Sequence, residues 1–159
     1  MSVAWRPLQF CRQLPVPTNS MFSFKNALLD SRETTHRLVN RRNAAVLASV
    51  VRAAVDSASR RRGLLGLDHM PDDQGLIIAP CNAIHTWFMR FAIDVVFVAR
   101  TGKVIKQYDA VGPWRMAFAW GAFAAIELAA GTLRASETVT GDIAEIVPTS
   151  LSEPIRLSR

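Results

Sequence analysis

The ionisable side chains of His85, Arg90 and Asp94 lie among residues expected to form the core, in the most hydrophobic segment of the chain, residues 81–104. Burying a charge without a partner is costly, so such groups are usually paired, hydrogen-bonded to the backbone or gathered at a site. If the chain bends so that Asp94 meets His85, the carboxylate would orient the imidazole as it does for a general base. Alternatively, His85 is a core histidine that donates to a backbone carbonyl.

Two later ionisable groups extend this set. Arg115 follows Pro113 and Trp114, and Glu127 stands alone in an apolar run. Such an arginine binds a carboxylate, either of a ligand or of the protein, and a buried ion pair with Glu127 or Asp94 is the structural alternative. We predict one concave polar site, with Trp114 or Trp87 as an apolar wall and Arg90 pointing outward. Its four polar side chains are His85, Asp94, Arg115 and Glu127.

Metal and thiol chemistry have weaker support. Cys81 and His85 have the spacing C-x-x-x-H, which suits half a metal site or a thiol with its base. Zinc needs three or four ligands, and the other histidines and Cys11 are not clustered with them. We therefore predict no metal site and no cofactor, and expect Cys81 to be a small buried apolar residue. Asp142 is interpreted as a turn residue, and Arg60–Arg62 as the solvated end of a helix.

Two classes of function remain open from the residues alone. The chain has no Gly-rich phosphate loop, nucleophile elbow or H-E-x-x-H motif, so no catalytic residue is assigned. We favour a binding or accessory protein whose polar site takes a small anionic or peptide ligand. The alternative is a hydrolase-like enzyme that uses His85 with Asp94.

Short strands must position these residues. The apolar patterns predict six or seven strands and one helix within residues 52–66, which favours a mainly β sandwich or barrel over a parallel α/β sheet. A turn at Thr101–Gly102 predicts a hairpin. The predicted strands cover residues 44–51, 76–80, 84–91, 93–99, 104–108, 123–131 and 143–147.

The charge of the chain is uneven. The net charge is +6, but residues 1–62 carry eleven Lys or Arg against three Asp or Glu, whereas residues 63–159 carry eight against ten. The basic character therefore belongs to the N-terminal region, and no specific nucleic-acid binding is predicted. We expect residues 1–40 to be an extended basic arm, residues 41–148 to be a single β domain and residues 149–159 to be a loose tail.

Cysteine content and hydropathy predict the compartment. Only Cys11 and Cys81 occur, which suits free thiols in a reducing compartment. The longest apolar run, residues 116–126, is about half of what a membrane-spanning helix needs. We therefore expect a cytoplasmic protein without a membrane span. The oligomeric state is not predicted.

Several motifs between residues 43 and 147 resemble the prokaryotic family known as domain of unknown function 192. They are "RGLLG" from Arg62, "GLIIAPCNAIHTWFMRFAIDVVFV" from Gly75, "GPWR" from Gly112 and "IELAAGT" from Ile126. This chain has Ala92 where the family pattern has proline, and Leu67 where it has a polar residue. The resemblance implies a compact, jelly-roll-like β fold of unassigned activity.

Overall fold

The protein is described here from a computed structural model, which covers Phe24, Leu28 and residues 36–149. This part of the chain is mainly β, as predicted, with ten strands and two short helices. The helices are α1 (Ser57–Arg62) and α2 (Thr132–Ala135). The strands are β1 (His36–Asn40), β2 (Val46–Ala48), β3 (Val50–Ala54), β4 (Gln74–Ile78), β5 (Ala83–His85), β6 (Ile93–Val98), β7 (Val104–Val111), β8 (Met116–Phe118), β9 (Ala124–Ala129) and β10 (Ala144–Pro148).

The strands form three open sheets. The largest has the order β3-β4-β9-β6-β7, in which only the β3–β4 pair is parallel. A second sheet has the order β10-β1-β2, and β5 pairs with β8 in a third. Strands β6 and β9 are buried along their whole length because they lie inside the largest sheet and are covered on both faces.

The two faces of the five-stranded sheet belong to different hydrophobic clusters. On β9, Ile126 and Leu128 point to one face, and Ala125 and Ala129 point to the other, as the period of two requires. The first face packs against the three-stranded sheet, for example through Leu38 of β1. The second face is covered by β5, β8 and the segment after α1, through Leu64, Met70, Ile84, Ala117 and Ala119.

The predicted β class is therefore right, whereas the predicted number of strands is too low. The run at residues 44–51 forms two strands, β2 and β3, and β8 was not predicted as a separate strand. The strand predicted over residues 84–91 ends at His85, because the chain turns through Phe88, whose φ is +66°. The sheet orders describe open sheets and give no closed barrel among the described residues.

The predicted start of the domain at residue 41 is also too late. Strand β1 covers His36–Asn40 and lies between β2 and β10, so it is an inner strand of its sheet. Phe24 and Leu28 are buried in the first hydrophobic cluster. These contacts place part of the predicted arm within the folded unit. The rest of the arm and the tail after Thr149 lie outside the described residues.

The hairpin between β6 and β7 is present where the sequence predicted it. Gly102 has φ +84° and donates its N–H to the carbonyl of Ala99. A Cβ at this glycine would lie 2.3 Å from the carbonyl oxygen of Ala144 in β10. Glycine is therefore required both by the turn and by the close approach of β10.

A buried polar network joins β1 to the turn before β10. The Asp142 carboxylate accepts hydrogen bonds from Asn40 Nδ2 at 2.7 Å, Arg42 Nε at 2.8 Å and the Val139 N–H at 3.0 Å. Desolvation raises the pKa of Asp142, but these hydrogen bonds outweigh it, so the pKa is lowered overall. Asp142 therefore connects distant parts of the chain, which is more than the turn role that the sequence indicated.

We expect Asp142→Asn to destabilise the fold by about 1–3 kcal/mol at neutral pH, because one carboxylate oxygen becomes an amide donor that faces existing donors. Because the folded pKa is lowered, the carboxylate contributes stability above its unfolded pKa, and this is lost as the pH falls through the folded pKa. The difference between the two proteins should therefore shrink in acid. Urea unfolding across acidic and neutral pH measures it, and a difference that does not change with pH would contradict the network's ionic character.

Candidate functional site

A cavity of about 490 Å³ opens on the second face of the five-stranded sheet. The end of β4 and Glu127 of β9 contribute from the sheet, helix α1 and the turn after it form one side, and β5 forms another. Met89, from the loop after β5, also borders it. Its size is in the usual range for a small-molecule pocket.

Glu127 is the least satisfied polar group at this cavity. It is 5 % exposed, and its Oε2 is buried without a hydrogen-bond partner among the described residues. The side chain is held there because β9 lies between β4 and β6, with Glu127 paired to Leu76 and Val95. Burial raises the pKa of Glu127 to about 7.

Helix α1 brings cations to the same cavity. Asp56 caps the helix, accepting hydrogen bonds from the N–H groups of Ala58 and Ser59, and the three arginines Arg60–Arg62 form its last turn. All three arginines border the cavity. The guanidinium of Arg60 lies 3.4 Å from the Ala79 carbonyl oxygen, which holds it beside the sheet.

Cys81 and His85 border the cavity from the other side. The Cys81 thiol donates to the Ala83 carbonyl at 3.1 Å, and its pKa is raised, chiefly by desolvation. A raised pKa disfavours the thiolate, so the thiol is poorly suited to nucleophilic attack. The exposed imidazole of His85 stacks on Trp87, with ring centroids 4.9 Å apart. His85 is therefore not the core histidine of the alternative interpretation.

Asp94 does not take part in this site. Its carboxylate is buried and accepts hydrogen bonds from the N–H groups of Ala110 at 2.8 Å, Gly131 at 3.0 Å and Leu133 at 2.8 Å. Because side chains alternate along a strand, the Asp94 side chain points to the same face of the sheet as Val96, which is the first face. Glu127 and the cavity lie on the second face. The predicted pair with His85 is therefore not formed, because the sheet separates the two side chains.

Arg115 and Trp114 also lie outside the cavity. Both are exposed, and no ion pair joins Arg115 to Glu127 or Asp94 in the described part of the chain. The ring of Trp114 packs edge-on against Phe88, with centroids 4.9 Å apart. The four polar side chains therefore do not converge on one cavity as predicted. His85 and Glu127 border it, whereas Asp94 and Arg115 do not.

Arg90 points outward, as predicted, and forms a well-exposed ion pair with Asp68 at 2.7 Å. Cys81 and Arg60–Arg62 border the cavity, although the sequence indicated a small buried apolar residue and a solvated helix end at these positions. The run of three arginines was a visible signal, but such a run usually lies on a solvated helix end. Its position beside the sheet depends on how the segment after α1 packs.

Residues 36–149, together with Phe24 and Leu28, contain no group of three or more His, Cys, Asp or Glu side chains with the geometry of a metal site. None of the described helices combines the length and apolar character needed to cross a membrane. The cytoplasmic location stays a prediction.

The fold and cavity define a mainly β domain with a small-molecule-sized pocket beside a central strand. The chain belongs to the family described as Uncharacterized ACR, domain of unknown function 192, whose model matches residues 38–146. This confirms the resemblance found in the sequence. No curated protein matches the chain significantly.

Two solved structures are similar to this chain. One is described as a "putative transcription regulator" from Sinorhizobium meliloti 1021, with 21% identity and a TM-score of 0.62 over 71% of this chain and 92% of that one. The other is a protein of unknown function from Novosphingobium aromaticivorans, with 19% identity and a TM-score of 0.61 over 70% of this chain and 83% of that one. At these identities the similarity concerns the fold.

Proposed function

We propose that the protein is a binding domain whose cavity takes a small ligand with an anionic group and a hydrogen-bond donor, such as an amino acid or a short peptide. The observation that carries this proposal is the unpartnered Oε2 of Glu127 in the wall of a cavity that Arg60–Arg62 also border. A buried polar atom without a partner is expensive, and a ligand donor would remove that cost.

The charges indicate how such a ligand would be oriented. Its donor, for example an amino group, would contact Glu127 at the sheet, and its anionic end would contact the guanidinium groups of α1. His85, stacked on Trp87, would border the ligand from β5. In this proposal Asp94, Arg115 and Trp114 are not ligand-binding residues, which narrows the site predicted from the sequence.

Isothermal titration with acetate, glycine, γ-aminobutyrate, glycylglycine and inorganic phosphate tests this function. Ligands with both an amino group and a carboxylate should bind more tightly than acetate or phosphate. We expect Arg60→Gln to weaken that binding by about tenfold or more, because a charge-assisted hydrogen bond is lost. Glu127→Gln should weaken binding of the amino-containing ligands and leave acetate nearly unchanged.

Arg134→Gln is the matched control, because Arg134 is an exposed arginine of α2 that does not border the cavity. Its binding should equal that of the unmodified protein. If none of the probes binds saturably, this ligand class is wrong. If a probe binds the Arg60→Gln and Glu127→Gln variants as tightly as it binds the unmodified protein, its binding site lies elsewhere.

A further inference from the structure

A second feature is the outer face of the β5–β8 pair, which adjoins the cavity at His85. The two strands are antiparallel, with His85 opposite Met116 and Ala83 opposite Phe118. The inner side carries Ile84 and Ala117, which are buried in the second cluster. Since side chains alternate along a strand, the outer side should be polar in an ordinary surface pair.

The outer side is instead strongly apolar. Its exposed large side chains come from β8, from the residues flanking it and from the loop after β5. We call this set the aromatic face. Its members and exposed fractions are Trp87 (44 %), Phe88 (70 %), Trp114 (58 %), Met116 (63 %), Phe118 (56 %) and Trp120 (89 %). Large exposed apolar patches mark protein or membrane interaction sites.

The face is held in place by a buried threonine. Thr86, fully buried, accepts hydrogen bonds at its carbonyl from the N–H of Trp114 at 3.0 Å and at its Oγ1 from the N–H of Arg115 at 2.9 Å. Its hydroxyl donates to the carbonyl of Gly112 at 2.7 Å. This ties the loop after β5 to the loop before β8, so the rings of both loops share one surface.

Two residues of the face have strained backbone. Phe88 has φ +66° and Trp114 has φ +60°, a region that bulky side chains rarely adopt. Their rings contact each other while most of each side chain stays in solvent. Strain of this kind persists where the surrounding structure enforces it, and it is often found at functional sites. Here both strained residues carry a large aromatic ring that is mostly exposed to solvent.

Cations accompany these rings. The Lys106 ammonium lies 4.6 Å from the ring centroid of Tyr108 and 4.9 Å from that of Phe118. Arg115 is exposed next to Trp114 and Met116, and neither Lys106 nor Arg115 is in an ion pair with another described residue. The face therefore combines protruding rings with unpaired positive charges.

We propose that the aromatic face docks onto the surface of an anionic lipid bilayer. Aromatic side chains are favoured at the membrane–water interface, and basic residues near it are attracted to anionic headgroups. Exposed fractions of 89 % for Trp120 and 70 % for Phe88 describe side chains that project from the protein, which suits insertion between lipids better than lining a groove. A symmetric dimer through this face would bring the Lys106 and Arg115 charges of both copies into one interface, which is unfavourable.

Vesicle binding of the full chain tests this inference. The probes are vesicles of phosphatidylcholine alone and of phosphatidylcholine mixed with phosphatidylglycerol, with sedimentation as the readout. We expect binding to the mixed vesicles, and quenching of tryptophan fluorescence when the lipids carry brominated acyl chains. The double variant Phe88→Ser with Phe118→Ser should bind at least about tenfold more weakly, because two apolar insertions are lost.

The basic N-terminal region is the same in every variant, so it cannot explain a difference between them. Val139→Ser is the matched control, because Val139 is 50 % exposed and lies outside the aromatic face. Equal binding of the double variant, or absence of binding to the mixed vesicles, would overturn the proposal. Light scattering that shows a concentration-dependent dimer, lost in the double variant, would assign the face to a second copy instead.

Discussion

Replacing Asp94 by alanine is expected to lower the free energy of unfolding by about 3–5 kcal/mol, the largest loss for any single side chain considered in this protein. The carboxylate accepts hydrogen bonds from the N–H groups of Ala110, Gly131 and Leu133, which lie in β7, before α2 and within α2. Removing it leaves three donors without a partner, and Leu133 is itself buried. Urea unfolding at neutral pH measures the loss.

The free energy of unfolding of the isosteric variant Asp94→Asn should lie between those of the unmodified protein and Asp94→Ala. Its one side-chain oxygen still accepts a hydrogen bond, while its amide group faces a backbone donor. Asp109→Ala, at an exposed aspartate of β7, is the matched control and should change stability by less than about 0.5 kcal/mol. An Asp94→Ala protein as stable as the control would show that water replaces the carboxylate. A catalytic role for Asp94 predicts the opposite pattern, with activity lost and stability kept.

Replacing Glu127 by glutamine is expected to stabilise the protein by about 3 kcal/mol above pH 7 and to have little effect near pH 4. Burial raises the pKa of Glu127 from 4.5 to about 7. As the pH rises between these values, the unfolded carboxyl loses its proton while the folded one keeps it. Unfolding therefore becomes easier with rising pH, and the stability due to the protonated group is lost by the time the pH exceeds the folded pKa.

Glutamine resembles the protonated carboxyl, so the variant should show no such slope. Unfolding curves at several pH values between 4 and 8, taken for both proteins, give the difference directly and cancel the contributions of all other groups. Glu137→Gln, at an exposed glutamate, should leave the slope of the unmodified protein intact. Parallel curves for the unmodified and Glu127→Gln proteins would mean that the carboxyl is solvated or paired in solution.

A stabilising Glu127→Gln change would also bear on the proposed function. A residue that costs stability is expected where it serves a site, because function and stability often conflict. The titration with small ligands is independent of this result, since it depends on the affinity of the site. The vesicle experiment concerns the aromatic face and is independent of both.

Local patterns in the sequence predicted several of the strands and marked the charges that are unusual in an apolar setting. Alternation and apolar runs located β4, β6, β9 and β10 within a few residues, and Gly102 located the hairpin. The isolation of Glu127 among apolar residues marked it as unusual, and in the structure its Oε2 is buried without a hydrogen-bond partner among the described residues. These features are local, because strand propensity and burial patterns depend on a few neighbouring residues.

Which charged residues lie close together depends on the three-dimensional packing of the strands and of α1. Asp94 and Glu127 lie on neighbouring strands, but their side chains point to opposite faces of the sheet, and the strand register alone determines this. The arginines of α1 reach the cavity because the segment after the helix packs on the second face. No spacing along the chain contains that information, since the contacts join segments distant in sequence.

Strand β8 also shows a difference between what the sequence indicates and what the packing determines. The alternation of Met116, Phe118 and Trp120 with two alanines is visible in the sequence, and it implies a strand with one bulky and one small side. Hydrophobicity alone predicts that the bulky side is buried. In the structure Ala117 and Ala119 are the buried residues, because β8 packs closely on the second face of the large sheet and leaves room only for small side chains.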